Sequence, residues 1–151
     1  MKMFGTNGIR GIANEYLSCE LALRIGRSVG AVLGGRIAVA TDTRVSSEMI
    51  KSALASGLMS VGSDVLDLGM VPTPALQHFI KNRPEVTGGV MITASHNPPE
   101  FNGIKCISGD GTECTSEEEA RIEDLYETGV ECVGWRKVGS VTRVEGAGDE
   151  Y

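Results

Sequence analysis

Apolar positions along this chain recur at two spacings, and the alternation between them predicts its elements. In "LSCELALRIGRSVGAVLGG" the residues Leu21, Ile25, Val29, Val32 and Leu33 fall on one helical stripe, with Ser18 placed to cap the first turn and Gly34 just past the end. The short β-prone run "RIAVAT" (36–41) follows, and "SSEMIKSALASGLMSVG" returns to helical spacing through Met49, Ile50, Ala53, Leu54, Leu58 and Val61. The same unit repeats as "DVLDLG", a strand, then "TPALQHFIKN", a helix with Pro74 in its first turn, then an apolar strand within 86–93. "GIKCIS" and "GDG" read as strand and turn, and "TSEEEARIEDLYE" as a helix in which Ser116 and Glu119 have capping-box spacing. The tail "WRKVGSVTRVEGAGDEY" offers one more short strand, after which residues of about 145–151 have the Gly-rich, charged character of a linker.

Strands separated by helices imply an α/β fold: a three-layer α/β/α sandwich around a small mixed, mainly parallel sheet, with only the last one or two strands expected antiparallel. The 151 residues, 41% hydrophobic, suit one compact domain over 1–151. A net charge of -6 without any block of lysine or arginine argues against a nucleic-acid partner. The N-terminus lacks a signal-type apolar core, and the most apolar window, 21–40, is interrupted by Arg24, Arg27 and Arg36, so no membrane segment is expected and the location is read as cytoplasmic. Cys19, Cys106, Cys114 and Cys132 form no C-x-x-C pair and read as free thiols, while His78 and His96 are too scattered to make a metal site. His78 sits on an apolar helix and reads as structural.

Ligands of open α/β sheets collect at the carboxyl ends of the strands, and the polar clusters "TDTR" (41–44), "VPTP" (71–74) and "TASHNP" (93–98) all follow predicted strands, so they should share one edge. Ser95 is the candidate nucleophile, displayed on a loop stiffened by Asn97, Pro98 and Pro99. His96 could polarise it, or its oxygen could bind a metal or carry a phosphoryl group whose oxygens the loop N–H groups receive; an Asx-type turn without chemistry explains the same residues. Lys105 could serve as a phosphate-pairing cation or an acid/base, and Arg10, flanked by Gly5, Gly8 and Gly11, could make a bidentate phosphate contact. Asp42 and Arg44 are read as pairing with each other or capping the helix that begins near Ser46.

Together "FGTNGIRG", "DTRVSS", "VPTP" and "TASHNPPEFNGIK" resemble the α-D-phosphohexomutase family, which includes phosphoglucomutases, phosphomannomutases and phosphoglucosamine mutases, and the resemblance extends over nearly the whole chain. It implies that Ser95 is the phosphorylated serine and a magnesium ligand, with His96 beside it, Lys105 on the acid/base lysine of the N-G-x-K motif, and Arg10 near the phosphoserine. Thr6, Asn7, Asn97 and Asn102 are the substrate- or phosphate-binding candidates, and "FGTNGIRGIAN" leans toward the phosphoglucosamine mutases although Asn7 replaces their usual Asp or Ser. The implied reaction interconverts hexose or hexosamine 6-phosphate and 1-phosphate through a 1,6-bisphosphate, with Mg2+ completed by aspartates of another domain. The chain matches only the first of the family's four domains: no Asp-x-Asp-x-Asp loop or Arg-x-Ser-Gly-Thr clamp is present. Domains II–IV are therefore expected partners, this chain alone is expected inactive, and self-association through an exposed interdomain surface is a further expectation. A stand-alone sugar-phosphate-binding or interaction domain is the alternative. A serine hydrolase fits poorly, because Ser95 does not lie in a G-x-S-x-G elbow.

Overall fold

The computed structural model describes residues 2–151. Strand β1 (Ile9–Ile12) precedes α1 (Cys19–Leu33), β2 (Arg36–Thr41), α2 (Ser47–Ser60), β3 (Asp64–Met70), α3 (Thr73–Lys81), β4 (Gly88–Ile92), β5 (Phe101–Ser108), α4 (Ser116–Thr128) and β6 (Val141–Arg143). The strands form one sheet in the order β1-β5-β4-β2-β3-β6. Parallel pairs join β2 to β3 and β4, and β3 to β6, whereas β5 is antiparallel to both neighbours. Five strands therefore point one way and only β5 is reversed, since β4 and β5 are joined by a hairpin loop rather than a crossover helix. Of the last one or two strands expected to be antiparallel, β5 is so, whereas β6 returns parallel to β3.

Strand alternation divides the core in two. Ile37, Val39, Val90, Ile92, Ile104 and Cys106 face α1, α2 and α4, while Ala38, Ala40, Met91 and Ile107 face α3 and a short 3-10 turn at Ala147–Glu150. That is the three-layer sandwich. Helices α1 and α2 cross closely because a Cβ on Gly26 or Gly57 would collide with the backbone carbonyl of Leu54 or Leu23 on the facing helix.

Three local readings change. Ser18 does cap α1, its Oγ accepting from Leu21 N at 3.1 Å, but α4 is capped one residue earlier than the spacing of Ser116 and Glu119 predicts. Thr115 is its N-cap and Glu118 the reciprocal partner, because Glu118 is also reached by the hydroxyl of Ser108 on β5, which fixes that register. The linker-like ending is docked: Ala147 is buried against α3, and Glu150 pairs with Arg83 at 2.7 Å. Within "FGTNGIRG" the segment read as a Gly-rich turn includes a true edge strand, β1. No described helix is long and apolar enough to cross a membrane.

Candidate active site

The loop from Thr93 to Glu100 leaves the carboxyl end of β4, and "DTR" (42–44) leaves the adjacent end of β2, so the two polar clusters meet at one sheet edge. Asp42 organises the junction. Its Oδ1 accepts from Arg44 N at 3.1 Å and from Ser47 Oγ at 3.0 Å, and its Oδ2 accepts from Thr93 Oγ1 at 2.7 Å. Asp42 and Arg44 also pair, at 3.5 Å. Arg44 then reaches over the loop, its Nη1 donating to the carbonyls of Pro98 and Phe101 at 2.7 and 2.8 Å and its Nη2 to those of Ser95 and Asn97 at 2.9 and 2.8 Å.

Ser95 itself has φ 53°, in the left-handed region that a residue with a Cβ seldom occupies. Its N–H donates to Thr93 Oγ1 at 3.1 Å, and its side chain is exposed beside that of His96. Neither the Ser95 hydroxyl nor the His96 ring has a hydrogen-bond partner among the described residues. Both line a cavity of about 390 Å3 together with Asn7, Arg10, Asn97 and Pro98. A second cavity of about 350 Å3, lined by Asp42, Thr43, Arg44, Val45, Ser95, Asn97 and Pro99, shares Ser95 and Asn97 with the first.

Arg10 comes from β1, whose Arg10 is in register with Gly103 of β5. A Cβ at position 103 would press on Arg10 Cγ and on the carbonyls of Thr93 and Ile9, so glycine there lets the arginine lie flat over the strand. Arg10 Nη1 donates to Asn97 Oδ1 at 2.7 Å, while its buried Nε has no partner. An unpaired guanidinium N–H next to a serine, in a cavity with few other charges, is suited to an anionic ligand.

The remaining predicted residues are placed differently. Lys105 shares the sheet face of Arg10, two positions further along β5, but its Nζ is engaged by Glu113 at 2.6 Å and it does not line the serine cavity. Asn102 is corrected: strand alternation turns it to the opposite face, where it is fully buried, donates to Ser46 Oγ and Ser47 Oγ and accepts from Gly103 N. It ties β5 to the start of α2 and cannot touch a ligand in the serine cavity. Thr6 occupies the exposed tip of the turn closed by Gly5 and Gly8, beside Asn7 but outside the cavity lining. His78 stacks edge-on with Tyr151 at 5.9 Å between centroids, away from the site. Thr93 and the loop-spanning role of Arg44 have no local sequence signature, since the carbonyls that Arg44 binds are 51 to 57 residues away.

As a metal centre the described residues are incomplete. No three His, Cys, Asp or Glu side chains converge among them, and the one carboxylate near Ser95, Asp42, has both oxygens engaged. They do not by themselves fit a magnesium ion, for which Ser95 offers a single oxygen.

The comparisons with known proteins agree with this architecture. The family model described as phosphoglucomutase/phosphomannomutase, alpha/beta/alpha domain I, matches residues 1–131. A protein of Thermococcus gammatolerans named "Probable phosphoglucosamine mutase" is 49% identical over 146 residues, covering 95% of this chain and 32% of its own length. A "Phosphoglucomutase/phosphomannomutase" of Thermococcus kodakarensis is 51% identical over 131 residues, covering 83% of this chain and 28% of its own. Among solved structures, a phosphoglucomutase/phosphomannomutase family protein of Burkholderia thailandensis superposes with a TM-score of 0.85 at 31% identity, over 99% of this chain and 34% of that one. The chain thus spans about a third of the length of the relatives it matches.

Proposed function

Because the chain belongs to the phosphoglucomutase/phosphomannomutase family as its α/β/α domain I, we propose that it is the active-serine domain of a phosphohexomutase interconverting hexose or hexosamine 6-phosphate and 1-phosphate. The observation that carries this reading is Ser95, presented at φ 53° on the open edge of the sheet in a cavity whose one permanent cation among the described residues is Arg10. In the proposed reaction a sugar hydroxyl attacks the phosphorus of phosphorylated Ser95, the bond from phosphorus to Ser95 Oγ breaks, and the hydroxyl proton passes to a base at the site. Return of the other phosphate of the 1,6-bisphosphate to Ser95 closes the cycle. His96 lies next to the serine in the same cavity and is one candidate for that base.

Lys105 is the other candidate, as the family resemblance implies, and in that role it must exchange Glu113 for the ligand. Its position on the Arg10 face of β5 makes this a change of rotamer rather than of backbone. Arg10 and Asn97 are assigned the transferring phosphate, with Asn7 at the rim. Since the described residues do not complete a magnesium site, the metal's remaining ligands and the second phosphate's contacts are assigned to the rest of the longer protein. The relatives carry both phosphoglucosamine mutase and phosphoglucomutase/phosphomannomutase names, so the substrate class proposed is a hexose or hexosamine phosphate.

The test is made on the full-length protein. Incubation with a hexose or hexosamine 1,6-bisphosphate followed by peptide mass spectrometry is expected to find one phosphate on Ser95, absent from S95A, with mutase turnover lost in that variant. Turnover by S95A, or an unphosphorylated Ser95 in an active enzyme, would overturn the assignment.

A further inference from the structure

Arg44 differs from Arg10 in a way that hydrogen-bond inventory makes plain. A guanidinium has five N–H donors. In Arg44 four are directed at loop carbonyls, of Ser95, Asn97, Pro98 and Phe101, and Nε faces Asp42. Nothing remains for a ligand. Arg10 has one bond, to Asn97 Oδ1, and a buried Nε without a partner.

We propose that Arg44 is a positioning residue for phosphoryl transfer: its guanidinium replaces the missing ladder of the 95–101 loop and sets the direction in which Ser95 and the His96 N–H are presented. Few other bonds anchor the loop from outside: Arg10 Nη1 donates to Asn97 Oδ1 at 2.7 Å and Ala13 N to Glu100 O at 2.9 Å. Pro98 and Pro99 lack N–H groups, and the backbone bonds within it are Asn97 N to Ala94 O and Phe101 N to Pro98 O, each 3.0 Å. Ser95 N, bonded to Thr93 Oγ1, connects the loop back to Asp42, which also braces Arg44. The peptide plane supplies the next step. In a trans peptide the N–H of His96 points opposite to the Ser95 carbonyl. With that carbonyl fixed on Arg44, the His96 N–H is directed to the other side of the loop, where no acceptor in the described chain receives it and where a phosphate on Ser95 could. The same clamp, together with the Thr93 bond, holds Ser95 in its left-handed conformation.

This inference rests on Ser95 being the phosphoryl carrier, and the experiment separates the two claims. In the full-length protein, R44A and R44K are compared with wild type by steady-state kinetics and by amide hydrogen exchange resolved over residues 94–101. A lysine keeps the charge but cannot span four carbonyls. Both variants are expected to lose kcat on the order of 10²-fold while KM changes by less than about threefold, the pattern of lost alignment rather than lost ligand contact. Exchange should accelerate over 94–101 and stay unchanged in the helices at 19–33 and 47–60. Wild-type kcat and protection in R44K would overturn the proposal, and so would a fall in kcat with unaltered exchange, which would place Arg44 on the ligand. If R44A does not fold, D42N, which keeps the guanidinium but removes its brace, carries the same comparison. If the wild-type protein has no mutase turnover, the functional reading fails, and the exchange data still decide whether Arg44 orders the loop.

Discussion

Ser95 and Asn14 are the non-glycine residues with positive φ among those described, and they differ in meaning. Asparagine tolerates the left-handed region, whereas serine held there costs on the order of 1 kcal/mol or more and persists only where its surroundings dictate it. Those surroundings are Arg44, Thr93 and Asp42, while the side-chain donor left without a partner beside the serine is Arg10 Nε. R10A is accordingly expected to lower kcat/KM on the order of 10²-fold, as removal of a preorganised donor to a transferring group does, and R10K to recover little of it because an ammonium cannot reproduce the fork. Steady-state kinetics of the full-length protein measure this, and an R10K variant with wild-type kcat/KM would remove Arg10 from the site. At the same scale, burial pushes the thiol of Cys114 up to about 12 and that of Cys106 well above its ordinary value, whereas Cys132 is exposed. Iodoacetamide at pH 8 should therefore label Cys132 in the native protein and leave Cys106 and Cys114 unmodified, as peptide mapping would show. How much of this the sequence could reveal depended on range. Ser95 and Arg10 carry short motifs around them, but Asn102 lies in one of those motifs and faces the other side of the sheet, because a motif does not show which residues alternate inward.

Helices were legible where an apolar stripe and a cap coincide, as in α1. The start of α4 was misread by one residue because "TSEEE" satisfies the capping pattern twice, with Thr115 and Glu118 or with Ser116 and Glu119. Only the tertiary bond from Ser108 separates them. The carboxyl of Glu118 is raised by burial, but hydrogen bonds from Ser108 and Thr115 outweigh this and hold it below its ordinary value of 4.5. Its stabilisation is thus present above pH 4.5 and fades as pH falls through the lower folded-state value. T115A is expected to cost about 1 kcal/mol at neutral pH, with the gap to wild type narrowing in acid, as urea titrations at several pH values would report. β1 was hidden because "IRGI" is too short and too interrupted by glycine for a period-two signal, and its partner β5 lies some ninety residues on. Gly26 and Gly57, which look like weak points in their helices, are where α1 and α2 touch. G57A is therefore expected to destabilise by about 1–3 kcal/mol through overpacking, despite the better helix propensity of alanine. A thermal midpoint equal to or above wild type would mean that the helices can separate without cost.

At the scale of the whole molecule, the three-layer fold puts the carboxyl ends of β2, β3 and β4 at one edge, and that edge is open. Among the described residues six line the serine cavity, and of these Arg10 alone is a permanent cation. Small-molecule sites usually enclose most of their ligand, and in the proposed reaction a sugar bisphosphate presents two phosphates that exchange places at the serine. One wall with one arginine can meet one phosphate. The charge that develops during transfer also calls for preorganised partners on the far side of the ligand, which the described residues do not supply. Residues 1–151 expressed alone are thus expected to turn over a hexose or hexosamine phosphate at least about 10³-fold more slowly than the full-length protein, since alignment and electrostatic stabilisation each contribute rate factors of that order. A coupled assay for 6-phosphate formation on equal molar amounts of the two proteins measures the ratio, with amide exchange over 94–101 confirming that the shorter chain retains its loop. Comparable turnover would mean that this edge holds both phosphates and aligns the transfer unaided. The site would then have to be sought across the two cavities that share Ser95 and Asn97, with Asp42 released from the Arg44 brace.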